Sequence, residues 1–205
     1  YLTSGESHGK ALIGILEGIP SGLPVSFGDI DRELRKRQGG HGRGGRMKIE
    51  TDRAQVLSGV RFGKTIGSPI ALLIENKDWQ NWQDIMSTEL KIKGSDLKAV
   101  TSPRPGHADL AGAVKYDTHD MRNILERSSA RETAMRAALG AIAKRFLSEF
   151  GIKIGSYVIQ IGKVQSSKLK IKSSEKELLE AFRSAEISPV RCPDKISSKK
   201  MVQLI

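Results

Sequence analysis

The chain has 205 residues, of which 38% are hydrophobic, 28% are charged and 5% are aromatic, and its formal net charge is +11. This is an ordinary soluble composition, long enough for a real core in one large domain or two small ones. No apolar run approaches the roughly 20 residues that cross a bilayer, and residues 1–10 do not resemble a secretory signal. The single cysteine, Cys192, excludes an intrachain disulfide and indicates a reducing, cytoplasmic location.

The first half of the chain predicts several strands and one helix. Residues 11–19 are apolar and predict a strand, although a short buried helix has the same pattern. Residues 27–40 predict a short helix with an acidic start, a basic end and glycines beyond it. Residues 55–63 and 68–77 then predict two β-strands joined by a turn-rich connection.

The second half is dominated by a predicted helix from about residue 131 to residue 150. Its small and apolar residues recur at the i, i+4 spacing of one helix face, and Ser128 or Ser129 is placed to cap its start. Residues 152–164 predict a strand, and residues 175–186 predict a second helix. The last five residues show no convincing terminal element.

A segment rich in glycine and arginine, QGGHGRGGRM at residues 38–47, indicates anion binding. Glycine lets the backbone approach a ligand closely, and arginine presents a fork of donors to phosphate or carboxylate. The spacing fits neither a nucleotide-hydrolase phosphate loop nor a dinucleotide fingerprint. Two interpretations stay open at this point: a site for a small anion, and a flexible loop that binds nucleic acid weakly.

Two further segments concentrate histidine, arginine, serine and glycine. SGESHG at residues 4–9 holds His8 in a loop, and SPRPGHAD at residues 102–109 holds His107 behind two stiffening prolines. LERSSARET, residues 125–133, leads into the long helix, whose N-terminal end favours a phosphate. Separate clusters of this composition predict a small ligand that carries several negative charges.

GESHG, RQGGHGRGGRM, RPGHAD and RSSARET occur in this order in chorismate synthases, and the chain resembles that family over nearly all of residues 1–150. The resemblance implies an α+β fold, a β-α-β sandwich in which helices pack between antiparallel sheets. It also implies that residues 1–205 form a single domain, the N-terminal part of a larger fold, because family members are nearly twice as long.

The resemblance implies roles for individual residues. His8 matches the histidine that protonates the departing phosphate, and His107 matches the one that protonates or stabilises reduced flavin. His41 stands where relatives often carry tyrosine and receives no role. The implied substrate contacts are Ser7, Arg37, Arg43, Arg46, Arg104 and Arg131. Implied cofactor contacts are Arg127, Ser128 and Ser129 for flavin, with Arg37 and Arg43 for a nicotinamide nucleotide.

The implied reaction is a lyase reaction, the anti-1,4-elimination of phosphate from 5-enolpyruvylshikimate 3-phosphate to give chorismate. It is the last common step of the shikimate pathway to aromatic amino acids. Reduced FMN is the implied cofactor, with NADPH as a possible reductant, and no metal is implied. The implied assembly is a homotetramer with no nucleic-acid or membrane partner. A rival interpretation, an RNA-binding module built on the glycine and arginine segment, predicts binding with a steep salt dependence.

Overall fold

The computed structural model describes residues 1–43, 51–89, 98–166 and 174–205. In these parts of the chain there are eight strands: β1 (Leu2–Ser4), β2 (Ala11–Leu16), β3 (Gln55–Val56), β4 (Val60–Arg61), β5 (Lys64–Thr65), β6 (Ile70–Glu75), β7 (Gln160–Ile161) and β8 (Val164–Gln165). Four of them form one antiparallel sheet in the order β1-β2-β6-β3, and the other four form two separate hairpins, β4–β5 and β7–β8.

Helices cover one face of the four-stranded sheet. The helices are α1 (Phe27–Gln38), α2 (Asp109–Tyr116), α3 (Arg122–Arg127), α4 (Thr133–Ser148), α5 (Glu175–Glu186) and α6 (Lys195–Leu204), with short 3-10 turns at Trp79–Asn81 and Ala130–Glu132. α4 packs against β2, β6 and α1. Helices and antiparallel sheets are thus separate elements that share one core, and the predicted α+β class is confirmed.

The main core lies between this sheet and α4. β2 and β6 pair along their whole length, from Ala11 opposite Glu75 to Leu16 opposite Ile70. Alternate residues of the two strands point at the helix and are buried, as a period of two requires. Gly14 permits the close approach, because a Cβ there would lie 2.5 Å from the Sδ atom of Met135 in α4.

A smaller apolar cluster forms where the β7–β8 hairpin meets α6. Val190, Cys192 and Met201 are its buried members. α6 begins at the cap residue Asp194, whose carboxylate accepts hydrogen bonds from the backbone amides of Ile196 and Ser197. The final residues therefore belong to a capped helix, and the prediction of no terminal element is wrong.

Three other predictions need correction. Residues 152–164 do not form one strand, because pairing is confined to the short hairpin of β7 and β8. Residues 55–63 contain two short strands, since the chain turns between β3 and β4. Ser129 accepts from the amide of Arg131 and caps a 3-10 turn rather than the long helix.

None of the helices in the described ranges has the length and apolarity to cross a membrane.

Candidate functional site

The loop between β1 and β2 carries Ser7 and His8. Gly5 turns the chain with a φ of +110°, and a Cβ at this position would lie 2.5 Å from the carbonyl oxygen of Ala11. The amide of Ser7 donates to the carbonyl of Glu126 at 3.1 Å, which ties the loop to α3. The sheet therefore presents His8 to a helix that lies more than a hundred residues further along the chain.

Glu126 holds His8 by its backbone and by its ring. The carboxylate accepts the His8 backbone N–H at 2.7 Å, and its two oxygens lie 2.9 Å and 3.0 Å from Nδ1. The indole of Trp82 stacks on the imidazole, with ring centroids 3.6 Å apart, and is itself held by Asp78 through a 2.8 Å hydrogen bond. Both the edge and the plane of the His8 ring are thus fixed.

His107 has a comparable carboxylate partner on the opposite side of the site. Its Nδ1 hydrogen-bonds Asp109, a residue that opens α2 and is fully buried. Arg104 donates to the same carboxylate from its backbone amide at 2.8 Å and from Nε at 3.2 Å. Its Nη2 atom lies 3.0 Å from Nε2 of His107. The RPGHAD segment therefore folds into a closed network of guanidinium, imidazole and carboxylate.

This network lowers the pKa of the Asp109 carboxyl group. Burial of the carboxyl group acts to raise the pKa, but hydrogen bonds from the Arg104 amide, the Arg104 guanidinium and His107 outweigh it. The pKa falls from its ordinary value of 3.8 to about 2. Asp109 is consequently a permanent negative charge at neutral pH.

The segments SGESHG, SPRPGHAD and LERSSARET meet at one cavity of about 350 Å³. It is lined by Ser7, His8, Arg104, His107, Arg122, Leu125, Glu126, Ser129 and Ala130. Five of the predicted site residues, Ser7, His8, Arg104, His107 and Ser129, thus line one cavity, although they come from segments far apart in the sequence.

Arg37 and Arg131 meet beside this cavity rather than inside it. The Arg131 Nη1 atom donates to Asp52 at 2.6 Å, and the Arg37 Nη1 atom lies 3.7 Å from the other Asp52 oxygen. The side chains of Arg131 and Asp52 are 4% and 2% exposed. Arg37 also donates to the carbonyl of Ala130 at 2.8 Å. Arg37 therefore bonds to the backbone of a residue that lines the histidine cavity, and Arg131 is the next residue along the chain.

Arg43 lies with Arg37 at a second, larger cavity of about 490 Å³ between α1, α4, α5 and residues 153–156. The Arg43 Nε atom donates to the carbonyl of Gly39 at 3.1 Å. Lys36, Lys144, Lys153, Arg183 and Arg191 also line this cavity, with Glu33 and Glu186 as the acidic members. The predicted substrate contact at Arg46 lies outside the described residues.

The predicted flavin segment lies at the end of α3. Arg127 is the last residue of that helix, and its guanidinium lies 4.9 Å from the ring centroid of Tyr116. Ser128 follows as the cap and is exposed, and Ser129 reaches the wall of the histidine cavity. An exposed cation and two hydroxyl groups beside the cavity form a donor set that suits an anionic, polyhydroxylated group such as the phosphate and ribityl chain of a flavin.

Sequence reasoning missed Glu126, Asp109, Trp82 and Asp52. Glu126 and Asp109 both lie inside quoted motifs, where an acidic residue in a strongly basic setting was the available signal. No local signal links Asp52 to its two arginines, because the contact between Asp52 and Arg131 spans 79 residues. His41 and His119 are exposed and do not line the histidine cavity.

The histidine cavity combines two kinds of group that act on an anionic substrate. Two imidazoles, each oriented by a carboxylate on its Nδ1 side, can donate or accept protons near neutral pH. Arginines at the wall stabilise negative charge that develops on a departing group. Within the described ranges, no group of three His, Cys, Asp or Glu residues is placed to hold a metal ion. The arrangement is therefore suited to acid–base chemistry on a small polyanion.

The chain is similar in sequence and in fold to proteins that are named chorismate synthase. Residues 1–205 match the family model described as chorismate synthase. The chorismate synthase of Symbiobacterium thermophilum is 55% identical over 209 residues, covering 100% of this chain and 52% of that protein. The Aquifex aeolicus chorismate synthase is 59% identical over 196 residues, covering 94% of this chain and 49% of that protein.

A solved structure agrees with these relatives. A crystal structure of chorismate synthase superimposes on the whole chain with a TM-score of 0.78 at 46% identity, and the match covers 51% of that chain. The chain spans about half the length of the curated relatives that it matches. Since the family model covers every residue, the chain belongs to the chorismate synthase family.

Proposed function

We propose that the full-length protein containing this chain is a chorismate synthase, a lyase that eliminates phosphate from 5-enolpyruvylshikimate 3-phosphate to give chorismate, the last common step toward the aromatic amino acids. The observation that carries this proposal is the meeting of His8, Arg104 and His107 at one cavity. Family membership supplies the substrate, and the cavity supplies groups that fit it. No feature of the described residues favours the rival nucleic-acid module.

His8 acts as the general acid in this proposal. Departure of the phosphate leaves a dianion, and a proton from the His8 imidazolium stabilises it as it forms. The Glu126 carboxylate, which is 2% exposed, lies 2.9 Å from Nδ1 of His8 and holds the ring in place. Ser7, which is buried beside His8, supplies a hydroxyl to the same part of the substrate site.

Arginines hold the substrate anion and absorb the charge of the leaving group. Arg104 lines the cavity and is positioned by Asp109, and Arg37 donates to the carbonyl of Ala130, which lines the cavity and precedes Arg131. Arg43, which lines the second cavity, and Arg46 complete the proposed set of substrate contacts. A phosphate and two carboxylates need several guanidinium forks, because a point charge pairs less well with these planar and tetrahedral anions.

Reduced FMN fits beside His107 in this proposal. Arg127, Ser128 and Ser129 would hold it, since they supply a cation and hydroxyl groups next to the cavity. When bound, reduced FMN supplies transient electron donation that helps to expel the phosphate, with no net redox change. Asp109 at Nδ1 and Arg104 at Nε2 hold the His107 ring in place at the edge of this proposed site. NADPH, held near Arg37 and Arg43, is the proposed reductant.

The proposed assembly is a homotetramer in the cytoplasm. The outer face of the four-stranded sheet supports association, because it exposes Leu2, Ile13, Ile15 and Leu57. The proposed partners are the small-molecule substrate and further copies of the chain, with neither nucleic acid nor membrane among them. We also propose that residues 1–205 form one domain of the larger fold.

Anaerobic titration of the full-length protein tests the proposed function. Reduced FMN followed by 5-enolpyruvylshikimate 3-phosphate should bind in a saturable, stoichiometric manner, and shikimate without phosphate is the control ligand. The rival interpretation predicts instead a steep fall of RNA affinity with salt across many sequences. Tight RNA binding together with no saturable binding of the phosphorylated acid would overturn the proposal.

A further inference from the structure

Glu126 is a buried carboxylate whose two oxygens both lie against one histidine. Oε2 accepts the backbone N–H of His8 at 2.7 Å, and Oε1 lies 2.9 Å from the ring Nδ1. The Nη1 atom of Arg122 also donates to Oε1, at 3.4 Å. We propose that Glu126 is a positioning residue that fixes His8 as the tautomer with its permanent proton on Nδ1, so that the exchangeable proton is on Nε2.

The choice of tautomer follows from the chemistry of a carboxylate. An ionised carboxylate only accepts hydrogen bonds, so the ring nitrogen that faces it must carry a proton. The other partner, a backbone N–H, is also a donor. A carboxylate satisfies both donors. An amide has one accepting oxygen, and in the place of Oε2 that oxygen would lie near both the backbone N–H and Nδ1. Its NH2 group would then stand in the place of Oε1, 2.9 Å from Nδ1, and point a donor at the same ring nitrogen.

The stacked indole of Trp82 cannot make this choice. A half-turn of the imidazole about the Cβ–Cγ bond leaves the ring plane unchanged, so the contact at 3.6 Å between the ring centroids survives in either orientation. The carboxylate distinguishes the edge that carries Nδ1 from the edge that does not. Trp82 therefore sets the plane of the ring, and Glu126 sets which nitrogen carries the permanent proton.

Fixing the tautomer prepares the proton transfer, and this step rests on the proposed function because it assigns His8 to the substrate. The imidazolium carries protons on both nitrogens. Transfer of the Nε2 proton to an oxygen of the departing phosphate breaks one N–H bond and forms one O–H bond. The ring that remains is the neutral Nδ1–H tautomer, which Glu126 already binds, so Glu126 stays ionised and no side chain reorganises.

The Glu126→Gln variant of the full-length protein tests the inference. Its single-turnover rate should fall by about 10- to 100-fold, the range for losing a partner that orients a working histidine, while substrate Kd changes by less than about twofold. The matched control is Glu132→Gln, because Glu132 is also partly buried and hydrogen-bonded to a distant residue, Thr3, but contacts neither histidine. Glu132→Gln should turn over at the wild-type rate.

A readout independent of activity is the tautomer itself. In protein labelled with 15N-histidine, the signal that disappears in His8→Ala should report a proton on Nδ1 in the wild type and a shift toward Nε2–H in Glu126→Gln. Glu126→Asp, which keeps both acceptors one methylene further away, should retain the Nδ1–H form and lose less activity. If Glu126→Gln does not fold, the tautomer and the activity of Glu126→Asp still test the inference.

The outcomes separate this inference from the proposed function. In the double variant Glu126→Gln/His8→Ala, turnover should be no slower than in His8→Ala alone, because both changes remove the same proton donor. A slow His8→Ala with a fast Glu126→Gln and an unchanged tautomer would overturn the role of Glu126 and leave the proposed function standing. Full activity in His8→Ala would overturn the proposed role of His8, while the tautomer signal would still decide what Glu126 does.

Discussion

At the residue scale, each histidine of the cavity has a buried carboxylate on its Nδ1 side, but the two carboxylates have different surroundings. Glu126 faces the backbone and ring of His8, with Arg122 nearby. Asp109 is held by both the amide and the guanidinium of Arg104 as well as by His107. Glu126 thus positions one histidine through both its backbone and its ring, whereas Asp109 joins His107 to Arg104.

The low pKa of Asp109 makes stability depend on pH in a defined window. Because the folded pKa of about 2 lies below the ordinary value of 3.8, ionised Asp109 contributes stability above pH 3.8, and this contribution is lost as the pH falls through about 2. Asp109→Asn should therefore be less stable than wild type at neutral pH. The gap between their free energies of unfolding, measured in urea, should narrow on acidification below about pH 4.

A gap that stays constant from neutral pH down to the acid end would contradict this account of Asp109. Asp109→Glu serves as the control, because it keeps the charge and displaces it by one methylene. The gap in the free energy of unfolding between Asp109→Glu and Asp109→Asn should depend on pH with the same sign as the gap between wild type and Asp109→Asn. The reason is that the glutamate carboxylate still has Arg104 as a partner.

Arg43 should contribute to substrate binding through its guanidinium fork. Arg43→Ala should weaken binding of 5-enolpyruvylshikimate 3-phosphate by about 2–4 kcal/mol, as for a lost charge-assisted contact, and Arg43→Lys should recover only part of it. The control is Arg61→Ala, because Arg61 lies over the ring of Phe62 in the β4–β5 hairpin and lines neither cavity described above. Wild-type affinity in Arg43→Ala, measured by calorimetry, would rule out this contact.

The site could be predicted from the sequence only as far as its motifs extended. His8, Arg104, His107 and Ser129 line one cavity, and their roles there stay predictions. The partner of His8 was missed because the contact is long-range: His8 and Glu126 are separated by 118 positions, and spacing along a chain carries no information about such a pair. The partner of His107, Asp109, is only two residues away and was open to prediction.

At the element scale, periodic segments were predicted well and short strands poorly. The regular spacing of small and apolar residues identified α4, and α5 has the capping box of Ser174 and Glu177 at its start. Residues 152–164 alternate like a strand, but the pairing is confined to β7 and β8, since a strand exists only where a neighbour supplies hydrogen bonds. The cap at Asp194 was a readable signal for α6 that was overlooked.

The contact between β2 and α4 depends on the missing side chain of Gly14. Gly14→Ala should destabilise the fold by about 1–3 kcal/mol, because the new methyl group would lie 2.5 Å from Sδ of Met135 and 3.0 Å from Cδ1 of Leu139, two buried side chains that would have to shift. In a Met135→Ala background, Gly14→Ala should lower the free energy of unfolding by less, since the side chain that the new methyl group contacts is shorter.

Gly140→Ala is the matched control for this packing prediction. It places a methyl group on α4 at a position with no heavy atom within 4 Å, so the variant should be neutral or more stable by up to about 1 kcal/mol from helix propensity. Equal effects of Gly14→Ala and Gly140→Ala in chemical denaturation would show that close packing does not explain the glycine at β2.

At the scale of the whole molecule, the chain holds its histidine cavity against one sheet and spans about half the length of its relatives. Of the proposed flavin residues, Arg127 and Ser128 are exposed and Ser129 is half-buried, and the net charge of +11 leaves a surplus of cations for anionic ligands. Under the proposal that residues 1–205 are one part of a larger fold, the rest of that fold covers the exposed flavin residues.

Residues 1–205 alone should therefore bind reduced FMN poorly compared with the full-length protein. Fluorescence quenching under anaerobic conditions measures both affinities, and a circular dichroism spectrum of the shorter protein establishes whether it is folded. Tight, stoichiometric binding by residues 1–205 would show that the cofactor site lies wholly within this chain.

The central claim is that His8 and His107 serve one elimination with different partners, and anaerobic single-turnover absorbance of the full-length protein tests it most directly. With reduced FMN and 5-enolpyruvylshikimate 3-phosphate, His8→Ala and His107→Ala should both release phosphate more slowly than wild type, by about 10² to 10⁴ for loss of a general acid. His8→Ala should leave the spectrum of bound reduced flavin unchanged, and His107→Ala should alter it. Indistinguishable flavin spectra in the two variants, or full activity in both, would contradict the account.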